Sequence, residues 1–174
     1  MSAILAVSAQ VPGDLSFYNL VVFVHIASAL VGLGSIFSYP AFYRIGMSSH
    51  PRGLPFFHRV QGFIGSRTIP GGLAMLLITG VYMAAAGPFD FGDPFVGVGI
   101  LVVVVVGALG GLYFSRQEPR LEQLAERDIA AAGGGEVRLS QEYVDLARQA
   151  ELIGLLSAGL VLVTLLFMVL KPGT

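Results

Sequence analysis

The sequence predicts an all-α polytopic protein: a four-helix transmembrane bundle with both termini outside and a helical hairpin projecting inward. Three observations carry this reading. First, 55% of the 174 residues are hydrophobic and only 12% charged, whereas soluble domains carry roughly 25% charged residues. Second, four stretches, residues 17–39, 68–86, 95–114 and 152–170, contain no Asp, Glu, Lys or Arg. Each supplies about the 20 helical residues that a hydrocarbon core ~30 Å thick requires. Third, nine of the ten basic residues lie in segments 40–67 and 115–151. The positive-inside rule therefore puts those segments inside and both termini outside.

Runs such as LVVVVV at 101–106 and LVLVTLLFMVL at 160–170 lack the alternation of a membrane β-barrel strand. The whole chain, 1–174, reads as one membrane domain. Segment 1–10 has a small-residue look at Val7, Ser8 and Ala9, but no charged start and only a short apolar run. It reads as retained, not as a cleaved signal. The near-neutral balance, a formal charge of -1, leaves no basic excess with which to hold nucleic acid. The absence of Cys removes disulfides, thiolate metal sites and cysteine nucleophiles.

In the first span, His25 is the only imidazole within an apolar stretch, ~12 Å below the outer surface by helical rise. Steps of three or four residues from it reach Ser28, Gly32, Ser35 and Tyr39, a small and polar stripe where another helix can approach closely. The first inside segment carries Arg44, Arg52, Arg59 and Arg67 with no acid. These arginines are either topology determinants touching lipid phosphates or partners for acidic residues elsewhere. Pro55 can open a helix through Phe56, Phe57, Val60 and Ile64 that continues into the second span, with Pro70 kinking it. His58 and Arg59, beside Phe56 and Phe57, read either as a functional pair or, the preferred reading, as the solvated basic edge of an interfacial helix.

In the third span Gly107 and Gly111, and in the fourth Gly154 and Ala158, form small-xxx-small pairs that favour close packing. Segment 115–151 is the inner hairpin. Leu121, Leu124, Ala125 and Ile129 share one face, and Glu118, Glu122 and Glu126 form an acidic stripe. Pro119 marks a kink or restart. Gly133, Gly134 and Gly135 break the first arm, and Ser140 caps a second that runs on through Tyr143 and Ala150 into the fourth span. The first inside segment sums to +4, and 115–151, with five arginines and eight acids, to -3. The two are complementary enough to dock.

An ionisable residue inside the membrane is a functional candidate, and imidazole is a common axial ligand of haem iron. The competing reading of His25 is a neutral side chain hydrogen-bonded across helices, with Thr79 and Thr164 at matching depth. Met83 and Met168 are the only thioethers within range to complete a haem site, and methionine is more often core filler. His50 and His58 lie most of a bilayer away. No phosphate loop, metalloprotease motif, nucleophile elbow or intramembrane carboxylate pair is present, so no catalytic residue and no metal site is assigned.

At VHIASALVGLGSIFSYPAF (24–42), RTIPGGLAMLLITG (67–80) and the closing VLKP (169–172), the chain resembles a superfamily of small four-helix membrane proteins. That superfamily includes an uncharacterised family of predicted integral membrane proteins, the CopD-type copper-resistance membrane domain and the HemJ-type protoporphyrinogen oxidase. The HemJ-type resemblance implies that His25 occupies the place of a histidine involved in b-haem binding. The functionally important lysine of that type, near the start of the third span, has no counterpart, because 96–100 reads VGVGI. Porphyrinogen oxidation is therefore not carried over.

Three functions follow as expectations. The first is a haem- or porphyrin-associated protein centred on His25 with haem b as cofactor. The second is a non-catalytic accessory subunit of a larger respiratory or photosynthetic membrane complex. The third is a copper-handling protein, placed last because the outer segments hold no His and no Met beyond Met1. In each case the partner is the lipid bilayer, and the expected location is a bacterial cytoplasmic membrane.

Overall fold

The computed structural model describes residues 16–88 and 90–172. The segment 1–10, read above as retained, lies outside them. Among the described residues all regular structure is helical. Four helical stretches are long and apolar enough to cross a membrane.

Helix α1 spans Phe17–Ser49, started by Ser16, whose hydroxyl accepts from the Asn19 amide at 3.2 Å. Its 33 residues rise ~50 Å, well beyond one bilayer core. The helix thus runs ten residues past the expected span and through Pro40, whose ring leaves the Ile36 carbonyl without its helical donor. The extension is held because Tyr43, four residues past the span end, is fully buried in a cap at the basic end of the bundle.

A tight turn leads into α2 (Leu54–Phe63), with Pro55 in its first turn as the sequence suggests. A π-helical turn at Ile64–Thr68 joins it to α3 (Ile69–Ala86), and Pro70 sits in the first turn of α3. The second pass repeats the device. Helix α4 (Pro94–Ala108) passes through a π-helical turn at Leu109–Phe114 into α5 (Ser115–Ala132), which contains Pro119. A wide turn precedes each proline at which a kink is expected: the one before Pro70 contains Ser66, whose carbonyl Pro70 cannot pair, whereas the one before Pro119 ends at Phe114, one residue short of Ser115, whose carbonyl Pro119 leaves free. Ser115 donates its hydroxyl to the Gly111 carbonyl inside the second of these turns.

The α5 arm ends at Gly133, whose φ of 54° is open to glycine at little cost. Helix α6 (Gln141–Leu170) begins at Ser140, which accepts from the Tyr143 amide at 3.4 Å. The expected hairpin is present.

In the membrane α1 packs on α3 and α6, and α4 packs on the same two, closing a four-helix ring. Ile36, Leu73, Leu76, Val102, Val106, Ala158 and Val161 fill its centre. The outward faces carry exposed Phe23, Leu30, Leu101 and Leu166, as a lipid-facing surface should. At the basic end α2 and α5 pack against each other and against the ends of α1 and α6. There Tyr43, Leu54, Leu121, Leu124, Ala125, Tyr143, Ala147 and Ala150 make a second core.

The small-residue stripe of α1 meets α3 at one point. A Cβ on Gly32 would come within 2.8 Å of the Gly72 Cα, and one on Gly72 would collide with Gly32 in turn. Gly107 and Gly154 also lie against neighbours, 3.5 Å from Leu73 and 3.6 Å from Tyr39 on the same measure. Gly111 does not: nothing lies within 4 Å of its Cβ position. The π-helical turn rotates that residue outward, so the expected Gly107/Gly111 pair packs at only one of its members.

Candidate functional site

Two polar sites are built into these cores. The first is His25. Its Nδ1 lies 2.8 Å from Thr79 Oγ1 across the α1–α3 contact. With the Thr79 hydroxyl donating to the Met75 carbonyl at 2.6 Å, its oxygen is open to accept from His25 Nδ1–H, and the ring also bonds the Leu76 backbone. Gly80 lies beside the ring, where an added Cβ would stand 3.3 Å from His25 Cε1.

The other expected neighbours are not recruited. Ser28 donates to Val24 O at 2.7 Å and Thr164 to Leu160 O at 2.8 Å, each bonding within its own helix. Met168 packs its methyl against Gly99 of α4, which is not a neighbour of α1 in the ring. Met83 lies one turn beyond Thr79 on α3.

The second site departs from the sequence expectation. His58 is not a solvated edge residue but 1% exposed, and Glu118 is not on the surface stripe but 2% exposed. They meet in the cap core, beyond the ends of the apolar spans. His58 Nδ1 lies 2.8 Å from Glu118 Oε2, and Nε2 lies 2.8 Å from the Tyr143 hydroxyl. The Tyr43 hydroxyl bonds Glu118 Oε1 at 3.0 Å. All four helices of the cap thus contribute one member each.

Burial disfavours both charged forms here. It pushes the Glu118 carboxyl up to about 8 and the His58 imidazole down to about 4, and it raises both tyrosine hydroxyls. A local sequence signal for Glu118 existed. It shares a helical face with Leu121 and Ala125, three and seven residues on, as well as with Glu122.

The remaining acids explain the first inside segment. Arg59 bonds Glu122 at 2.7 Å and approaches Glu126 at 3.5 Å. Arg44 pairs with Glu151 at 3.0 Å. Arg52 donates to the carbonyls of Gly133 and Gly135 at 3.0 and 2.7 Å, clamping the hairpin turn. Three of the four arginines therefore tie the first inside segment to the second, whereas Arg67 lines an open groove with Ser28, Gly71, Gly72 and Met75 on the outside of the α1–α3 pair.

A cavity of about 40 Å³ lies one turn toward the membrane from the tetrad. Ser35, Tyr39, Gln61, Phe114, Gly154 and Ser157 are among its walls. The hydroxyl oxygens of Ser35 and Tyr39 are buried there without a hydrogen-bond partner.

The ring of apolar helices with a charged cap at one end defines a small polytopic α-helical membrane protein. The family model described as predicted integral membrane protein (DUF2269) matches residues 19–172, and the chain belongs to that family. No curated protein and no solved structure matches the chain.

Proposed function

We propose that the protein is a haem-associated membrane protein of the bacterial cytoplasmic membrane, with its basic cap inside and His25 as an axial ligand of b-type haem. The observation that carries this reading is the bond from His25 Nδ1–H to Thr79, whose own proton is spent on Met75. A haem-ligating imidazole needs one ring nitrogen donating to a fixed acceptor, the part the Thr79 oxygen can play, so that the other can bind iron. Gly80 adds to the fit by leaving the ring room against α3. The HemJ-type resemblance around His25 supports the same assignment.

In such a site His25 supplies the ligand nitrogen, Thr79 sets its tautomer and orientation, and Met83 is the better-placed thioether. Haem bound there would supply one-electron redox chemistry. A copper-handling role has less behind it: among the described residues no three His, Asp or Glu side chains converge to hold a metal ion.

The test is the absorption spectrum, oxidised and reduced, of protein expressed with ample haem and purified in detergent. A b-type spectrum that His25→Ala abolishes while helicity is retained is the expected result. A colourless wild-type protein would overturn it and leave the accessory-subunit role.

A further inference from the structure

The tetrad and the cavity above it are aligned on three helices. Tyr39 precedes Tyr43 by one turn on α1, Gln61 follows His58 by one turn on α2, and Phe114 precedes Glu118 by one turn. These strands of chain alternate in direction, so each step leads from the tetrad toward the membrane.

With Glu118 ionised, Tyr43 O–H, His58 Nδ1–H and Tyr143 O–H supply one proton to each of the three hydrogen bonds, and the network is complete. A neutral carboxyl brings a fourth proton. If it sits on Oε1 and is donated to the Tyr43 oxygen, the Tyr43 hydroxyl must donate outside the tetrad. Nothing in the tetrad accepts it; the Tyr113 hydroxyl, near Tyr43, is buried without a partner, and one turn away lies a cavity walled by Ser35 and Tyr39, whose hydroxyls are also unpartnered, with room for water, which needs ~10–15 Å³ per molecule.

We propose that the tetrad and the cavity form one proton-exchange site, in which Glu118 takes up and releases a proton through Tyr43 and water held between Ser35, Tyr39 and Gln61. On release the Glu118 Oε1–H bond breaks as Tyr43 takes that proton. Tyr43, which lies one turn from the cavity and not in its wall, gives its own to a water reaching it from the Tyr39 end of the cavity; that water leaves as hydronium, and the carboxylate is then held by Tyr43 and His58. Uptake is the reverse, and no oxidant or reductant is involved.

The groups facing this path are Tyr43, with Tyr113 near it, His58, and Tyr143, with Asp128 near it. No cation is among them, since Arg44, Arg59 and Arg127 are paired with Glu151, Glu122 and Asp128. Glu118 therefore charges without a fixed counter-ion, which keeps its proton exchangeable near neutral pH.

Infrared spectroscopy of the purified full-length protein tests this. The wild type should show the carbonyl band of a buried protonated carboxyl, absent from Glu118→Gln and retained in Glu151→Gln. On transfer to heavy water the band should shift promptly. Tyr43→Phe should slow the shift by roughly tenfold or more, and Tyr143→Phe should not. Tyr39→Phe removes a hydroxyl that bonds nothing in the protein, so folding tolerates it, and it too should slow the exchange. A wild type lacking the band, or exchange as fast in Tyr39→Phe and Tyr43→Phe as in the wild type, would overturn the proposal.

Discussion

Glu118 and His58, 60 residues apart in sequence, share a 2.8 Å contact in the core of the cap, with the carboxyl 2% and the imidazole 0% exposed. Neither has another charged partner within ion-pair distance among the described residues. The pair is therefore held mainly by hydrogen bonds between neutral or nearly neutral groups. An ion pair stripped of water would have to recover a desolvation cost of several kcal/mol per ion.

Stability should respond to pH in two windows. Folded Glu118 keeps a proton that the unfolded chain loses between 4.5 and about 8, so its contribution is full below 4.5 and is lost as pH rises through about 8. Folded His58 refuses a proton that the unfolded chain takes up below 6.5, so its contribution is full above 6.5 and is lost as pH falls through about 4. The two slopes oppose each other between 4.5 and 6.5. Melting in detergent should show a plateau there and a decline from 6.5 to about 8 that Glu118→Gln abolishes. The same decline in the variant would refute the assignment.

Tyr143→Phe leaves His58 Nε2 buried without its partner. The cost should be about 1–3 kcal/mol, the usual penalty for a stranded buried polar group. Thr164→Val removes a hydroxyl that bonds only its own helix at Leu160 O, and should cost well under about 1 kcal/mol. Denaturation of both variants side by side separates the two; equal losses would show that the tetrad contributes nothing specific.

Gly72→Ala forces a methyl into the backbone of Gly32 and must push α1 and α3 apart. Overpacking of this kind costs about 1–3 kcal/mol, and it should stretch the His25–Thr79 bond two turns away. Gly34→Ala, with nothing within 4 Å of its Cβ position, should be neutral or slightly stabilising. Melting temperatures would decide it: a tolerant Gly72 would mean that the helices do not cross there.

The charge segregation predicts orientation. The chain is free of Cys, so single cysteines report cleanly. An impermeant reagent applied outside cells should modify a cysteine placed at Asp90 and spare one at Gly134. The opposite pattern would reverse the topology.

The spans, the hairpin and its glycine turn were legible because lipid imposes a local rule: every residue of a long stretch must be apolar, and every backbone group must be satisfied within its own helix. Thr79 was legible as one of two candidate partners for His25, with Thr164, since helices crossing one slab are aligned in depth by the slab itself; the packing of α1 on α3 chose Thr79. Outside the membrane that ruler is gone. The spacing of Glu118, Glu122 and Glu126 says they share a stripe, but not where the core cuts across it. Helix α2 docks with Arg59 on Glu122, and this leaves Glu118 on the buried side.

By itself the sequence determined which segments cross the membrane, where they turn and which end carries the positive charge, all properties of single segments against a uniform solvent. Only the tertiary structure decided that α1 continues past Pro40, that three arginines clasp the hairpin, and that Tyr43, His58, Glu118 and Tyr143 converge. The reason is physical: a buried carboxyl is tolerable only when groups from other helices replace its water, and those groups, His58 and Tyr43, lie 60 and 75 residues away along the chain.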